Sequence, residues 1–195
     1  EAVSISWAGN ALGVLGREPL PDDMPGVVPP TLFRGDPQAN GGGFLTDGGS
    51  HLLTELIWCT DRRVVEVTCL MDDAATDVRA VLSMRLDGSA TATLSNTADS
   101  QVRGKRHHSL YFGSAGTAEI RGAPFSVTVD GRNGRESVHE DDLPAVPGPV
   151  EDFIGAVRRR SPLQIEAGTA LHVVEILDAA YRSARDGCAV TLQTA

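Results

Sequence analysis

Val78-Arg79-Ala80-Val81-Leu82-Ser83-Met84-Arg85-Leu86, then Asp87-Gly88, then Ala90-Thr91-Ala92-Thr93-Leu94, is the stretch from which the fold can be read. Its first part alternates between apolar and polar side chains, the period of a strand with one buried face. Asp87-Gly88 is a hairpin turn signal, because glycine adopts the positive φ that tight turns need. Residues 90–94 return as the partner strand. Upstream, Val64 to Leu70 is β-branched and mostly apolar, another strand. Downstream come strands over His107–Phe112, Thr117–Ile120, Phe125–Val129 and Glu136–His139. Their connections are Gly113-Ser114-Ala115-Gly116 and the glycine-rich run 130–134. Consecutive strands with tight turns imply an antiparallel meander over about residues 62–140.

The flanks read differently. Residues 1–7, with Val3, Ile5 and Trp7, suit one more strand. Residues 16–43 hold six prolines and end in Gly41-Gly42-Gly43, which predicts a long irregular segment of the functional or mobile kind. From Phe44 to Cys59, Leu45, Leu52, Leu53, Leu56 and Ile57 recur at helical spacing. Pro149 opens a helix over about 150–160, with Glu151 and Asp152 in its first turn, where the helix dipole favours acids. A long amphipathic helix follows over 168–186, its packing rows marked by Leu171, Val174, Leu177, Asp178 and Tyr181, with Gly187 as its cap. Helices around a run of antiparallel strands give an α+β domain: an open, mainly antiparallel sheet with helices on one face. The other face is then solvated or buried in a partner, and a sheet-to-sheet homodimer or tetramer is expected. The whole of 1–195 reads as one domain.

Charge narrows the function. Seventeen Lys and Arg against 26 Asp and Glu leave a net charge of −9, the wrong sign for a nucleic-acid surface. The basic runs Arg158–Arg160 and Arg103–His108 read as a solvated helix end and a hairpin turn. No apolar stretch approaches the roughly 20 residues of a membrane span. The first residues, Glu-Ala-Val-Ser-Ile-Ser, lack a signal-peptide pattern and begin inside a strand, so an earlier start is expected. Three cysteines, Cys59, Cys69 and Cys188, form no metal or redox spacing. Cys59 and Cys69 are expected to be buried thiols, and the set suits a cytoplasmic compartment.

The segment with chemistry is Gly41-Gly42-Gly43-Phe44-Leu45-Thr46-Asp47-Gly48-Gly49-Ser50-His51. Spacing i, i+4 puts Asp47 and His51 on one helix flank. A carboxylate can orient the imidazole, and the imidazole can take a proton from an alcohol near neutral pH. The small residues between them leave room for a ligand. On spacing alone such a pair is more often a surface or helix-stabilising contact, and the triple glycine reads as a hinge. It is not a dinucleotide fingerprint, since no strand leads into it and no acidic ribose partner follows.

This segment resembles the hallmark of the C-terminal domain of Gfo/Idh/MocA oxidoreductases. Glu151-Asp152-Phe153-Ile154, Ser161-Pro162, Gly168 with Ala170-Leu171, and Ala179-Ala180-Tyr181-Arg182-Ser183-Ala184 resemble the family's closing helices, and Gly113-Ser114-Ala115-Gly116 its inter-strand turn. The resemblance covers about residues 30–193. It implies a glyceraldehyde-3-phosphate-dehydrogenase-like C-terminal fold and a half-site for dehydrogenating a hydroxyl of a sugar, inositol or related polyol. In it His51 is acid/base and Asp47 orients it or binds substrate. NAD or NADP would be held mainly by the family's N-terminal Rossmann domain, which nothing here matches. Nor does anything match the family's Glu-Lys-Pro segment, whose lysine usually shares the chemistry. This stretch alone is therefore expected to be inactive. Thr54 stands where the family often has Asp. The alternative is a non-catalytic sugar-sensing or dimerising module of the same descent.

Other residues are assigned to substrate or structure. Arg34, just before the glycines, is a candidate for the substrate mouth, alongside Asp36, and an exposed loop is the competing reading. His107 and His108 are expected at the surface, His139 in a solvated acidic loop, and His172 in the core. Trp7 and Trp58 are expected to anchor the core.

Overall fold

A computed structural model describes residues 1–19, 32–101, 104–122 and 124–192. The irregular reading for 20–31, and Arg103 of the second basic run, lie outside the described residues. The described strands are β1 (Ala2–Ala8), β2 (Val64–Met71), β3 (Arg79–Leu86), β4 (Thr91–Thr97), β5 (Arg106–Gly113), β6 (Gly116–Gly122), β7 (Ser126–Gly131), β8 (Gly134–His139) and β9 (Val190–Thr191). The helices are a single turn α1 (Pro37–Asn40), then α2 (Ser50–Thr60), α3 (Pro149–Val157) and α4 (Ala167–Asp186).

One sheet holds all nine strands in the order β8-β7-β6-β5-β1-β4-β3-β2-β9. The hairpin expected at Asp87-Gly88 is present, with Leu82 opposite Leu94 and Gly88 at φ 64°. The meander, however, is divided. β1 lies between β4 and β5, parallel to the first and antiparallel to the second, with Ile5 opposite both Leu94 and Ser109. Local turn signals could not show this, because β1 joins strands that are far away in sequence, Ala2 lying opposite Thr91 and Phe112. The apolar alternation of β1 supplies the reason: Val3 and Ile5 complete the buried stripe begun by Leu82 and Leu94.

Two helices cover that stripe. α4 packs on β2 and β9, and α2 packs on α4 and on β1. The buried row of α4 is Val173, Ile176, Leu177 and Ala180, with Tyr181. Leu171 and Val174, expected to pack, are about 60% exposed (62% and 61%). His172 is in the core as expected: its Nε2 accepts the Val64 N–H at 3.0 Å. α4 ends where Gly187, at φ 67°, returns its N–H to Ser183. α3 begins at Pro149 as expected and stops at Val157, three residues early. Its Val150, Phe153 and Val157 stay exposed, and so do Arg158–Arg160.

The face opposite the helices is largely polar, with Ser4, Ser6, Thr91, Thr93, Ser83 and Thr68, but Val81 and Leu70 are exposed on it. No described helix is long and apolar enough to cross a membrane.

Of the two tryptophans expected to anchor the core, Trp7 packs against it and Trp58 does not. Trp58 is 61% exposed, on the outer flank of α2. Trp7 packs on the Phe44 ring with centroids 5.2 Å apart. Cys59 is also exposed, three helix positions from the buried Leu56, whereas Cys69 is buried on β2 and its thiol is pushed up to about 12 by burial, with the Asp77 charge adding. An apolar neighbourhood in sequence says little about a helix residue's direction; the 100° step per residue decides it.

Candidate functional site

The helix carrying Asp47 and His51 starts at Phe44, as expected, but its first turn is wide. Leu45–Gly49 forms a π-helical turn that runs directly into α2. Such turns recur at functional sites. Burial of Leu45, Leu52, Leu53 and Leu56 seats it. At about 1.5–3 kcal/mol each, these four outweigh the roughly 1 kcal/mol that each of Gly48 and Gly49 costs a helix.

A buried carboxylate holds the start of this helix. Asp77, 1% exposed and just before β3, accepts the N–H of Gly43 at 3.1 Å and of Leu45 at 2.7 Å. Its backbone oxygen takes the Phe44 N–H at 2.8 Å. These are donors that a helix N-terminus otherwise leaves unpaired. The Tyr181 hydroxyl on α4 donates to Asp77 Oδ1 at 2.7 Å and accepts from Gly43 N at 2.9 Å and Thr46 Oγ1 at 3.1 Å. Burial pushes the Asp77 carboxyl up. Hydrogen bonds from Tyr181 and Leu45 oppose the rise, the nearby Asp72 charge adds to it, and the group stays above its ordinary value. Burial, with the Asp77 charge, raises the Tyr181 hydroxyl as well.

The glycines are therefore packing residues. A Cβ on Gly43 would lie 2.4 Å from the Asp77 backbone, and one on Gly42 would lie 2.4 Å from the Tyr181 hydroxyl. The reading of the triple glycine as a hinge is corrected: close approach of Tyr181 and Asp77 requires glycine at Gly42 and Gly43, and Gly41 caps α1 at φ 79°. Gly48 and Gly49 likewise leave no open room, since a Cβ on them would meet Phe44 at 2.6 Å and Leu45 at 2.5 Å. With the Gly43 N–H committed to Asp77 and Tyr181, this turn does not fit the phosphates of a nucleotide.

The expected site residues come together, with one rearrangement. Arg34 reaches across from the segment before α1, and its Nε donates to Asp47 Oδ1 at 2.9 Å. The Arg34 guanidinium also sits over the Phe33 ring, 5.1 Å from its centroid. His51 is exposed, and among the described residues it has no hydrogen-bond partner. Thus Asp47 pairs with Arg34, and no described hydrogen bond joins it to His51. Asp36 caps α1 through the Gln38 N–H at 2.9 Å. Thr54 donates back to the Ser50 carbonyl at 2.8 Å. His139 is exposed.

His107 differs most from expectation. Only 12% of its side chain is exposed, and its Nε2 lies 2.8 Å from Glu55 Oε2. Glu55 Oε1 accepts the Tyr111 hydroxyl at 2.9 Å. Burial pushes Glu55 up, but hydrogen bonds from His107, Ser109 and Tyr111 and the attraction of His107 outweigh it, so the carboxyl lies below its usual range. His108, next in sequence, points to the other face and pairs with Glu119 at 2.7 Å. Only the strand's alternation hinted that the two histidines would part. Nothing in the sequence marked Asp77 above its neighbours Asp72 and Asp73.

Comparison with known proteins follows from this geometry. The family described as GFO/IDH/MocA C-terminal domain matches residues 16–119. No curated protein matches the sequence. Among solved structures, an oxidoreductase domain protein from Kribbella flavida superposes with TM-score 0.79 at 16% identity, covering 100% of this chain and 58% of that one. The WlbA dehydrogenase from Bordetella pertussis, in complex with NADH and UDP-GlcNAcA, gives 0.67 at 20% identity, covering 100% and 55%. The UDP-N-acetylglucosamine 3-dehydrogenase GnnA from Acidithiobacillus ferrooxidans gives 0.69 at 16% identity, covering 95% and 53%. At these identities the likeness shows the fold, and the chain spans little more than half the length of the structures it matches. A matched family model over more than half of the sequence and the divided nine-stranded sheet agree: this chain belongs to the GFO/IDH/MocA C-terminal domain family.

Proposed function

We propose that this domain is the substrate half of an NAD(P)-dependent dehydrogenase that oxidises a hydroxyl-bearing carbon of a sugar, inositol or related polyol. The observation that carries the reading is the head of α2. There Asp77 and Tyr181 hold a helix start on which His51 stands exposed and, among the described residues, without a hydrogen-bond partner, one turn from an Asp47 carboxylate held by Arg34. When bound by a companion nucleotide-binding domain, the nicotinamide would accept the hydride. His51 takes the proton of the reacting hydroxyl, its unpaired ring nitrogen serving as base. Asp47 keeps an acceptor oxygen, Oδ2, for a second hydroxyl, and Arg34 neutralises its charge and can donate to a sugar oxygen. The WlbA and GnnA structures support a nucleotide-linked sugar as one substrate class. Assembly through the largely polar open face of the sheet and a cytoplasmic setting, which the three free cysteines suit, belong to the same proposal.

A non-catalytic sugar-binding module is favoured by one feature: Asp47 is committed to Arg34, so no described carboxylate orients His51. Turnover decides between the two. The full-length protein is assayed with UDP-N-acetylglucosamine, glucose and myo-inositol, with NAD+ and NADP+, following absorbance of the reduced cofactor. The dehydrogenase reading expects turnover of at least one sugar and a fall of about 10²-fold or more in kcat for His51→Ala. Binding without turnover would establish the sensing module.

A further inference from the structure

We propose that His107 on β5, presented by Glu55, is a second substrate-contacting residue in the same cleft as His51, gripping a hydroxyl or ring oxygen away from the reacting carbon. The proposal rests on the dehydrogenase reading above and extends it to a subsite.

Glu55 lies one α-helical turn beyond His51, so the two share a flank of α2 about 6 Å apart. Glu55 then contacts two residues of β5, His107 and Tyr111, both on the helix-facing side of the strand. Tyr111 also reaches Cys59, one turn further along α2. β5 and α2 thus run in the same direction, which puts His107 toward the His51 end of the helix.

The hydrogen bonds settle which ring nitrogen of His107 is free. Nε2 faces both Glu55 Oε2 and the Ser109 hydroxyl, at 2.8 and 3.1 Å. With Nε2 donating to the carboxylate, Nδ1 is left over, an acceptor in the neutral ring and a donor in the imidazolium. Nδ1 has no partner among the described residues. Part of the ring remains accessible to solvent, with 12% of the His107 side chain exposed. A carboxylate behind one nitrogen with the other nitrogen open is how a histidine is held to meet a ligand.

What lies beyond His107 suits a sugar. The register places the half-buried Ile120 and Val127 on the face that carries His107, and the Phe125 ring meets the His107 ring edge-on at 6.2 Å. α2 and α4 pack over β1, β2 and β9 and leave this floor open. An apolar floor receives the C–H face of a sugar ring while a few polar groups at the edge fix its orientation. Glu55 of α2 and His107 of β5 meet at the edge of that floor.

The test separates contact from architecture. In the full-length enzyme, assayed with whichever of UDP-N-acetylglucosamine, glucose or myo-inositol it oxidises, His107→Gln keeps a donor toward Glu55 and removes Nδ1. A substrate contact predicts a rise in KM of about tenfold with kcat little changed. Glu55→Gln, which leaves Nδ1 in place but loosens the ring, should raise KM by a smaller factor. A His107→Gln enzyme with unchanged KM, in a protein where His51→Ala abolishes turnover, would overturn this inference and leave the dehydrogenase reading standing. No turnover of any of the three sugars would overturn both.

Discussion

The Tyr181 hydroxyl and the Asp77 carboxylate, 2.7 Å apart and both buried, tie α4 to the loop before β3 directly beneath the residues that start the Asp47–His51 helix. Asp77→Ala would strand the N–H groups of Gly43 and Leu45, each costing about 1–3 kcal/mol when buried and unpaired. Tyr181→Phe leaves both still facing Asp77. We expect Asp77→Ala to cost about 3 kcal/mol or more and Tyr181→Phe about 1 kcal/mol, read from urea unfolding. Equal losses would contradict the assignment of Asp77 as the hub.

The glycines offer a sharper contrast. Gly41→Ala meets nothing within 4 Å and suffers only its φ of 79°, a penalty of about 1 kcal/mol. Gly43→Ala drives a methyl into the Asp77 backbone and should destabilise far more, with an unfolding midpoint well below that of Gly41→Ala. Similar midpoints would return the triple glycine to a hinge.

Acid stability should depend on Glu55. Its folded carboxyl lies below the ordinary value near 4.5, so in that window the unfolded chain binds more protons than the folded one, and stability rises with pH. The contribution is present above about pH 4.5 and is lost as pH falls through the folded value. Glu55→Gln should flatten the acid limb of a plot of melting temperature against pH while lowering the plateau near pH 7. An unchanged acid limb would mean that the His107 and Tyr111 bonds to Glu55 do not hold in solution.

Packing separates neighbours on α2. Leu53 is fully buried and Trp58 is 61% exposed. Leu53→Ala should cost about 2–5 kcal/mol, whereas Trp58→Ala should stay within about 0.5 kcal/mol in this domain. Denaturant midpoints of the two variants check the order, and a large loss at Trp58 would contradict its exposed position on α2.

Thiol labelling follows the same logic. Cys59 and Cys188 are exposed, and Cys69 is buried with its thiol pushed up to about 12. A maleimide should modify two cysteines in the native domain and the third only after unfolding. Rapid native labelling of Cys69 would show that β2 opens under α4.

The sequence by itself determined what is local. Alternation from Val78 to Leu94 with the Asp87-Gly88 turn made the hairpin, leucine spacing made the helix that bears Asp47 and His51, and Gly187 stopped α4. Those signals arise within a few residues, where backbone φ/ψ and side-chain period are decided. The tertiary structure alone decided the rest. β1 entered the sheet between β4 and β5 because a buried stripe needed Val3 and Ile5. Arg34 rather than His51 took the Asp47 carboxylate. His107 turned inward to Glu55 while His108 turned out to Glu119. Each of these pairs groups that are distant in sequence, and charge, hydroxyl or apolar surface seeks whatever partner the fold brings within reach. Spacing alone put Asp47 and His51 one turn apart on a helix. The buried Asp77 and Tyr181 that hold their helix in place became visible only once the chain had brought residues 43, 77 and 181 together.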